Sequence, residues 1–311
     1  MEKIKNVTVA GTGVLGSQIA FQTAFKGFEV SAYDINDEAI KKAKERFKVL
    51  QARYQEDQYG TKEEVDAAYD RISFHTDLSE AVASADLVIE AIPELLEVKQ
   101  DFYEKLAKVA KEETIFASNS STMTPSQIVD FTGRPEKYLH LHFANEIWKL
   151  NIAEIMKHDG TSDDVFEDVI AFATAIGMVP IPLHKEQPGY VLNTLLVPHI
   201  KAAVQLAVDG VAEPKIVDKT WMISTGAPFG PFAFLDIIGP NTPYNLYKAF
   251  GEGGDELSAK VAEWIKSEYL DKGRMGKANG KGVYTYPNPE FEDPDFVKGE
   301  TEKELSHSEA H

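Results

Sequence analysis

The sequence predicts an α/β chain: a doubly wound (Rossmann), mostly parallel sheet followed by a second, all-helical domain. Three observations carry this. The apolar run Val7-Thr8-Val9-Ala10 passes directly into Gly11-Thr12-Gly13-Val14-Leu15-Gly16. Short apolar runs then alternate with segments of helical period, the pattern of a parallel sheet. Beyond Gln187-Pro188-Gly189 only helical periods recur.

The first unit justifies itself residue by residue. G-x-G-x-x-G after a strand and before a helix-compatible segment, with Asp34 18 positions past Gly16, is a dinucleotide-binding fingerprint. Alone, the glycine motif also fits a turn in any α/β protein; the strand, the Gly27 stop and Glu29-Val30-Ser31-Ala32-Tyr33-Asp34 supply the context. Gly11 permits the tight turn, Gly13 lets the backbone approach a pyrophosphate, and Gly16 allows close helix–strand packing. Val14 and Leu15 open the helix whose N–H groups and dipole would face the phosphates. Asp34 would accept from a ribose diol and repel a 2′-phosphate, so NAD is expected rather than NADP.

The chain next reads as a helical hairpin, Asp37 to Tyr54 and Lys62 to Tyr69, inserted near 37–70. Strands follow at Ile72-Ser73-Phe74, Leu87-Val88-Ile89-Glu90-Ala91 and Thr114-Ile115-Phe116-Ala117-Ser118, with helices over Leu78–Ser84 and Glu97–Val109 between them. In such sheets ligands sit at the carboxyl ends of strands, where Pro93-Glu94 and Asn119-Ser120-Ser121 fall. Strands at Leu139–Phe143, Ile152–Met156 and Met178–Leu183, with a helix over Thr161–Ala175, complete a domain spanning 1–185. Helices over Val191–Val208, Pro214–Thr225, Thr242–Phe250 and Leu257–Leu270 form a domain at 186–286. The first of them is apolar on most faces, which implies burial against another subunit or the first domain. Residues 287–311 are acidic with few apolar anchors and predict a disordered tail.

Composition narrows the classes of function. The 311 residues carry a formal charge of −18, against nucleic acid or an anionic membrane as partner. The absence of cysteine excludes disulfides, thiolate metal sites and a cysteine nucleophile, and fits a cytoplasmic location. No metal site is expected. No apolar run approaches bilayer-spanning length, and Met1-Glu2-Lys3-Ile4-Lys5 leaves no space for a signal peptide.

Two strand-borne polar residues stand out, His142 and Glu154. A histidine can take a hydroxyl proton near neutral pH, and a carboxylate beside it fixes its tautomer. A histidine in a strand is more often structural, and by alternation His140 shares the face of His142.

Five ordered motifs resemble the L-3-hydroxyacyl-CoA dehydrogenase family. They are Phe116-Ala117-Ser118-Asn119-Ser120-Ser121; His142-Phe143-Ala144-Asn145 with Glu154; Pro188-Gly189-Tyr190-Val191-Leu192-Asn193; Gly230-Pro231-Phe232 with Leu235-Asp236; and the glycine-rich Gly276–Tyr286. The resemblance implies NAD-dependent interconversion of a 3-hydroxyacyl-CoA, such as 3-hydroxybutyryl-CoA, with the 3-ketoacyl-CoA, in a homodimer. By the same resemblance His142 would be the general base and Glu154 its polariser. Asn193 would hold the substrate oxygen or the histidine, Ser121 the hydroxyl or thioester region, and Asn145 the reacting end. Glu94 and Lys99 would hold the nicotinamide ribose, and Asn119 would join the cofactor set. Simpler roles exist: Ser121 as a helix cap, Asn193 as a helix start, Glu94 and Lys99 as a solvated pair.

The chain departs from the family in two places. After the histidine strand the family usually has Asn-Pro, whereas this chain reads Asn145-Glu146-Ile147-Trp148-Lys149, which predicts a carboxylate and an indole reshaping the acyl pocket. The hairpin, commonly lysine-rich where it meets CoA phosphates, reads Gln55-Glu56-Asp57-Gln58, with Arg53 and Lys62 the nearest cations. A free 3-hydroxy acid, as in the L-gulonate and carnitine dehydrogenase branches, is therefore the main alternative substrate. The 6-phosphogluconate type needs a lysine base that Gly189–Leu196 lacks. A non-catalytic NAD-binding regulator would be expected to lack His142 or Glu154.

Overall fold

A computed structural model describes residues 3–298. The chain divides into two compact units, the first ending at Val191 and the second beginning at Leu192.

The first unit is an eight-stranded sheet: β1 (Asn6–Ala10), β2 (Glu29–Tyr33), β3 (Ile72–His75), β4 (Leu87–Glu90), β5 (Ile115–Ser118), β6 (Tyr138–Phe143), β7 (Ile152–Met156) and β8 (Val179–Leu183). Their order is β3-β2-β1-β4-β5-β6-β7-β8. All neighbours pair in parallel except β6 and β7, which are antiparallel, so β7 and β8 run against the other six. Chain order reverses between β1 and β4, and Gly11 and Ala91 mark the crevice there. Central strands are apolar runs because both of their faces are covered.

Helix α1 (Val14–Phe25) follows β1, and the hairpin is α2 (Asp37–Glu56) with α3 (Lys62–Asp70). Ile40, Ala43, Phe47, Leu50 and Tyr54 form the buried stripe of α2, and Tyr54 meets Phe21 of α1 edge-on at 4.8 Å. Asn36 caps α2, and Thr61 with Glu64 forms a capping box on α3. Helices α4 (Leu78–Val82), α5 (Leu96–Val109) and α6 (Asp163–Ala175) complete the unit.

The second unit comprises α7 (Tyr190–Val208, whose first two residues belong to the first unit), α8 (Pro214–Thr225), α9 (Pro231–Ile238), α10 (Asn241–Glu252) and α11 (Glu256–Ile265). The sequence reading missed α9, a short helix with proline at its first position. Its Asp236 is fully buried and accepts from the hydroxyls of Tyr269 and Tyr286 and from the N–H groups of Val283 and Tyr284. That carboxylate explains the terminal glycine signature, because a Cβ on Gly282 would lie 2.1 Å from Asp236 Oδ1.

Two expectations are corrected. The tail does not begin at Pro287: Phe291 is buried against Tyr284, 5.0 Å ring to ring, and Glu290 pairs with Lys215, so the segment to Lys298 packs on the second unit. The remainder of the expected tail lies outside the described residues. Second, α7 has 19 residues with a mean hydropathy of 1.4, long and apolar enough to cross a membrane by length and composition. Its polar Asn193, Thr194, His199 and Lys201 hid the run. Within the single chain Leu195 of α7 is 69% exposed.

Gly282→Ala should therefore destabilise the protein by about 3 kcal/mol or more. Gly210→Ala, at φ +64 with nothing within 4 Å of the added carbon, should cost only about 1 kcal/mol. Urea unfolding of the two variants measures the contrast; equal losses would refute the account of the signature.

Candidate active site

The fingerprint turn has the geometry a dinucleotide needs. Gly11 sits at φ +92, and a Cβ there would lie 2.5 Å from the Ala91 carbonyl oxygen. A Cβ on Gly16 would lie 1.9 Å from the Gly11 carbonyl oxygen. Gly13 instead faces open space, the only one of the three that can admit a phosphate at its α-carbon. The first turn of α1, with Val14 and Leu15, follows at once. Asp34 directly follows β2 but also folds the turn: Oδ2 accepts from the N–H (2.9 Å) and hydroxyl (2.5 Å) of Thr12, and Oδ1 from Ile35 N–H. About four acceptor sites exist on a carboxylate, so the reach left toward a ribose is narrow. A cavity of about 290 Å³ opens beside Gly13 and Asp34, with Lys42 and Arg46 on its wall. These residues fit NAD.

The hairpin is less acidic than its tip. Lys42, Arg46 and Arg53 lie on one face of α2 and line a groove with Val14 and Gln18. Each is engaged: Lys42 with Glu38, Arg46 with the Thr12 carbonyl, Arg53 with Glu146.

Beneath the turn after β5 lies a charged network that the sequence reading overlooked. Glu90, fully buried at the end of β4, accepts at Oε1 from Lys99 (2.6 Å) and Ile92 N–H, and at Oε2 from the hydroxyls of Ser118 and Tyr103. An acidic residue closing the apolar run Leu87-Val88-Ile89 was the available signal. Lys99 is 1% exposed and also pairs with Glu94 at 3.2 Å. It is not a solvated partner of Glu94. Glu94 Oε1 accepts from the Ser120 hydroxyl (2.5 Å), the N–H groups of Ser121 and Thr122 (each 2.9 Å), and the Thr122 hydroxyl. Glu94 thus folds the Ser120–Thr122 turn, a role the ribose assignment did not include. Burial alone would raise the Glu94 carboxyl, but Lys99 and the hydrogen bonds hold it down at about 2.

That turn delivers Ser121 to the histidine. His142 and Glu154 are register partners across β6 and β7, both nearly fully buried. His142 Nδ1 lies 3.0 Å from Glu154 Oε2, and Glu154 Oε1 accepts from Val191 N–H at 2.9 Å. A carboxylate only accepts, so Nδ1 carries a proton, and in the neutral ring Nε2 then presents a lone pair. Ser121 Oγ stands 3.1 Å from that Nε2 and donates to it. His140 shares the strand but bonds to Tyr138 and Tyr190 instead. Asn119 ties strand ends, its Oδ1 accepting from Phe143 N–H. Asn145 is exposed just past β6. Asn193 lies in the first turn of α7, in the second unit.

Glu146 and Trp148 are both engaged with the hairpin. Glu146 pairs with Arg53, whose guanidinium lies 4.7 Å from the ring centre of Trp148. Trp148 is buried against Tyr54 and donates to Asp57 at 2.9 Å, while Lys149 pairs with Asp57 at 2.6 Å. Gln18 accepts from Glu146 N–H. The departure from the family is a latch between the loop after β6 and the end of α2. Glu146 has φ +60, which the proline usual in the family could not adopt.

Residues 6–187 match the family model described as 3-hydroxyacyl-CoA dehydrogenase, NAD binding domain, and residues 189–286 its C-terminal domain. A probable 3-hydroxybutyryl-CoA dehydrogenase of Bacillus subtilis is 33% identical, covering 91% of this chain and 98% of that protein. The human mitochondrial hydroxyacyl-coenzyme A dehydrogenase is 34% identical, covering 91% of each. A solved structure described as "Substrate-directed dual catalysis of dicarbonyl compounds by diketoreductase" is 52% identical, with a TM-score of 0.87, covering 92% of this chain and 100% of that one. The (S)-3-hydroxybutyryl-CoA dehydrogenase of Ralstonia eutropha is 28% identical with a TM-score of 0.77, covering 92% and 100%.

The Glu94 carboxyl is depressed from 4.5 to about 2, so its stabilisation is complete above about pH 4.5 and lost as pH falls toward 2. Glu94→Gln should cost roughly 1–2 kcal/mol at pH 7, discounted because the side chain is a third exposed, with about half of that gap remaining at pH 3. Urea titrations at the two pH values decide it; an unchanged gap would contradict the assignment.

Proposed function

For a chain that belongs to the 3-hydroxyacyl-CoA dehydrogenase family, an oxidoreductase with NAD as cofactor, we propose reversible reduction of a 3-oxo group lying β to a second carbonyl. The observation that carries this is the Ser121–His142–Glu154 array, with the Nε2 lone pair turned toward Ser121. When bound, NADH supplies the hydride at C3 and NAD⁺ receives it in reverse. His142 gives the nascent alkoxide its proton from Nε2 and reclaims it in the oxidative direction. Glu154 keeps Nδ1 protonated and stabilises the imidazolium form. Ser121 holds the reacting oxygen beside Nε2, Asn145 and Asn193 contact the substrate end, and Glu94, Lys99 and Asn119 support the cofactor side.

The preferred substrate in this reading is a free dicarbonyl or 3-hydroxy acid rather than a CoA thioester. Of the two cations nearest the hairpin tip, Arg53 is paired with Glu146 and Lys62 with Asp66, and Asp57 is held by Trp148 and Lys149, which leaves a tip without a basic cluster for phosphates. The 52% identity to a protein described as a diketoreductase supports the same choice. The acyl-CoA alternative is favoured by the curated relatives named for 3-hydroxybutyryl-CoA and hydroxyacyl-CoA. The reading includes a homodimer, for which Leu195, Leu206 and Val211 offer exposed apolar surface, and a cytoplasmic location, which the cysteine-free composition fits.

An NADH-oxidation assay comparing ethyl acetoacetate with acetoacetyl-CoA tests the choice: the free ester should give the higher kcat/KM, and the reverse ranking would return the acyl-CoA reading. His142→Ala should lower kcat about 10³-fold and Glu154→Gln about 10²-fold, with NADH binding retained. Ordinary turnover in His142→Ala would end the general-base assignment.

A further inference from the structure

Tyr190 meets the dyad's surroundings at several points. Its ring stacks on the His142 imidazole, centroids 4.4 Å apart and planes 15° from parallel. Its hydroxyl lies 2.7 Å from the Ser120 carbonyl oxygen and 3.0 Å from His140 Nδ1. The N–H of the next residue, Val191, bonds to Glu154. The side chain is fully buried, and the backbone stands at φ +55, a region that favours glycine and penalises an aromatic residue. Strain of this kind persists where surrounding contacts over-determine it.

The polarity of the attached hydrogen bonds follows from one acceptor. The Ser120 carbonyl can only accept, so the Tyr190 hydroxyl donates to it. The Tyr190 oxygen then accepts from His140 Nδ1–H, and His140 Nε2 accepts from the Tyr138 hydroxyl at 2.9 Å. A neutral His140 suits this chain: burial, with the Lys99 charge, lowers it to about 3. Ser120 in turn belongs to the Glu94-bound turn that brings Ser121 to His142.

We propose that Tyr190 is a positioning residue for proton transfer. Its ring fixes the plane of the His142 imidazole, so that Nδ1 stays on Glu154 and Nε2 on the reacting oxygen, and its hydroxyl locks the turn that carries Ser121. This rests on the assignment of His142 as the base. The stack and the hydroxyl act on different partners, so two substitutions separate them. Tyr190→Leu removes the ring face and leaves apolar bulk; Tyr190→Phe keeps the stack and removes the lock.

The test is steady-state turnover with saturating NADH and whichever of ethyl acetoacetate or acetoacetyl-CoA wild type reduces, together with NADH affinity by fluorescence. Misplacement of a reacting group by about 1 Å can cost on the order of 10²-fold. Tyr190→Leu should lose roughly 30- to 100-fold in kcat, with NADH affinity within about twofold and an increased primary isotope effect from [4-²H]NADH. Tyr190→Phe should recover most of this, to about three- to fivefold below wild type. A folded Leu variant with wild-type kcat, or a Phe variant as slow as the Leu variant, overturns the proposal. If the Leu variant does not fold, Tyr190→Phe decides alone: kcat and isotope effect both equal to wild type overturn it. His142→Ala is the control. If that variant turns over normally, the base assignment fails; if it is dead while Tyr190→Leu is normal, only the Tyr190 proposal fails.

Discussion

The buried hydrogen bond between His142 and Glu154 is the constraint on which the site depends, and it is a product of strand direction. Directly opposed residues of an antiparallel pair have Cβ atoms about 5 Å apart, within reach of a side-chain hydrogen bond. β6 and β7 form the sheet's sole antiparallel junction among the described residues, and the register there sets His142 against Glu154. The reversal that breaks the parallel pattern also makes the dyad. A carboxylate with 1% exposure has to be compensated, and it accepts from His142 Nδ1–H and Val191 N–H. The second bond ties the tautomer of the histidine to the backbone that begins α7.

The same logic organises the other half of the site at greater depth. Glu90 would be an uncompensated charge inside the sheet without Lys99, Ser118, Tyr103 and Ile92 N–H. Lys99, held there, also attracts Glu94, and Glu94 gathers the donors of Ser120, Ser121 and Thr122. Ser121 therefore reaches His142 through a sequence of satisfied charges rather than through a flexible loop. No buried side-chain polar atom among the described residues lacks a partner, which is the condition under which such a network rigidifies a site.

How far this was legible follows from the range of each interaction. The glycine turn, the strand–helix alternation and the hairpin are written in local spacing, and the structure has them at Gly11–Gly16, β1 to β8 and α2–α3. The dyad was legible as two polar residues in apolar strands, while its antiparallel pairing needed the fold. Tyr190 was hidden because an aromatic residue after Pro188-Gly189 reads as ordinary helix-start packing; its ring contact spans 48 residues of chain from His142. Asp34 was read for its reach outward, but its bonds to Thr12 show the same carboxylate holding the turn inward. Residues 287–298 of the expected tail were misread from charge density, since two aromatics, Phe291 and Phe296, anchor them despite the acidic residues around them.

The departures from the family were visible as departures in the sequence, while the partners that hold them needed the fold. Glu146 and Trp148 follow His142 by four and six residues. The backbone at Glu146 is left-handed, and Arg53, Tyr54 and Asp57 receive both side chains. The acidic hairpin tip and the aromatic, acidic loop are thus one feature: Asp57 accepts from Trp148 and Lys149, and Arg53 answers Glu146. Charges that answer each other in this way leave Ser121, His142 and Glu154 untouched. In the proposed reading, discrimination between a thioester and a free dicarbonyl is therefore set at the latch, apart from the proton transfer assigned to His142.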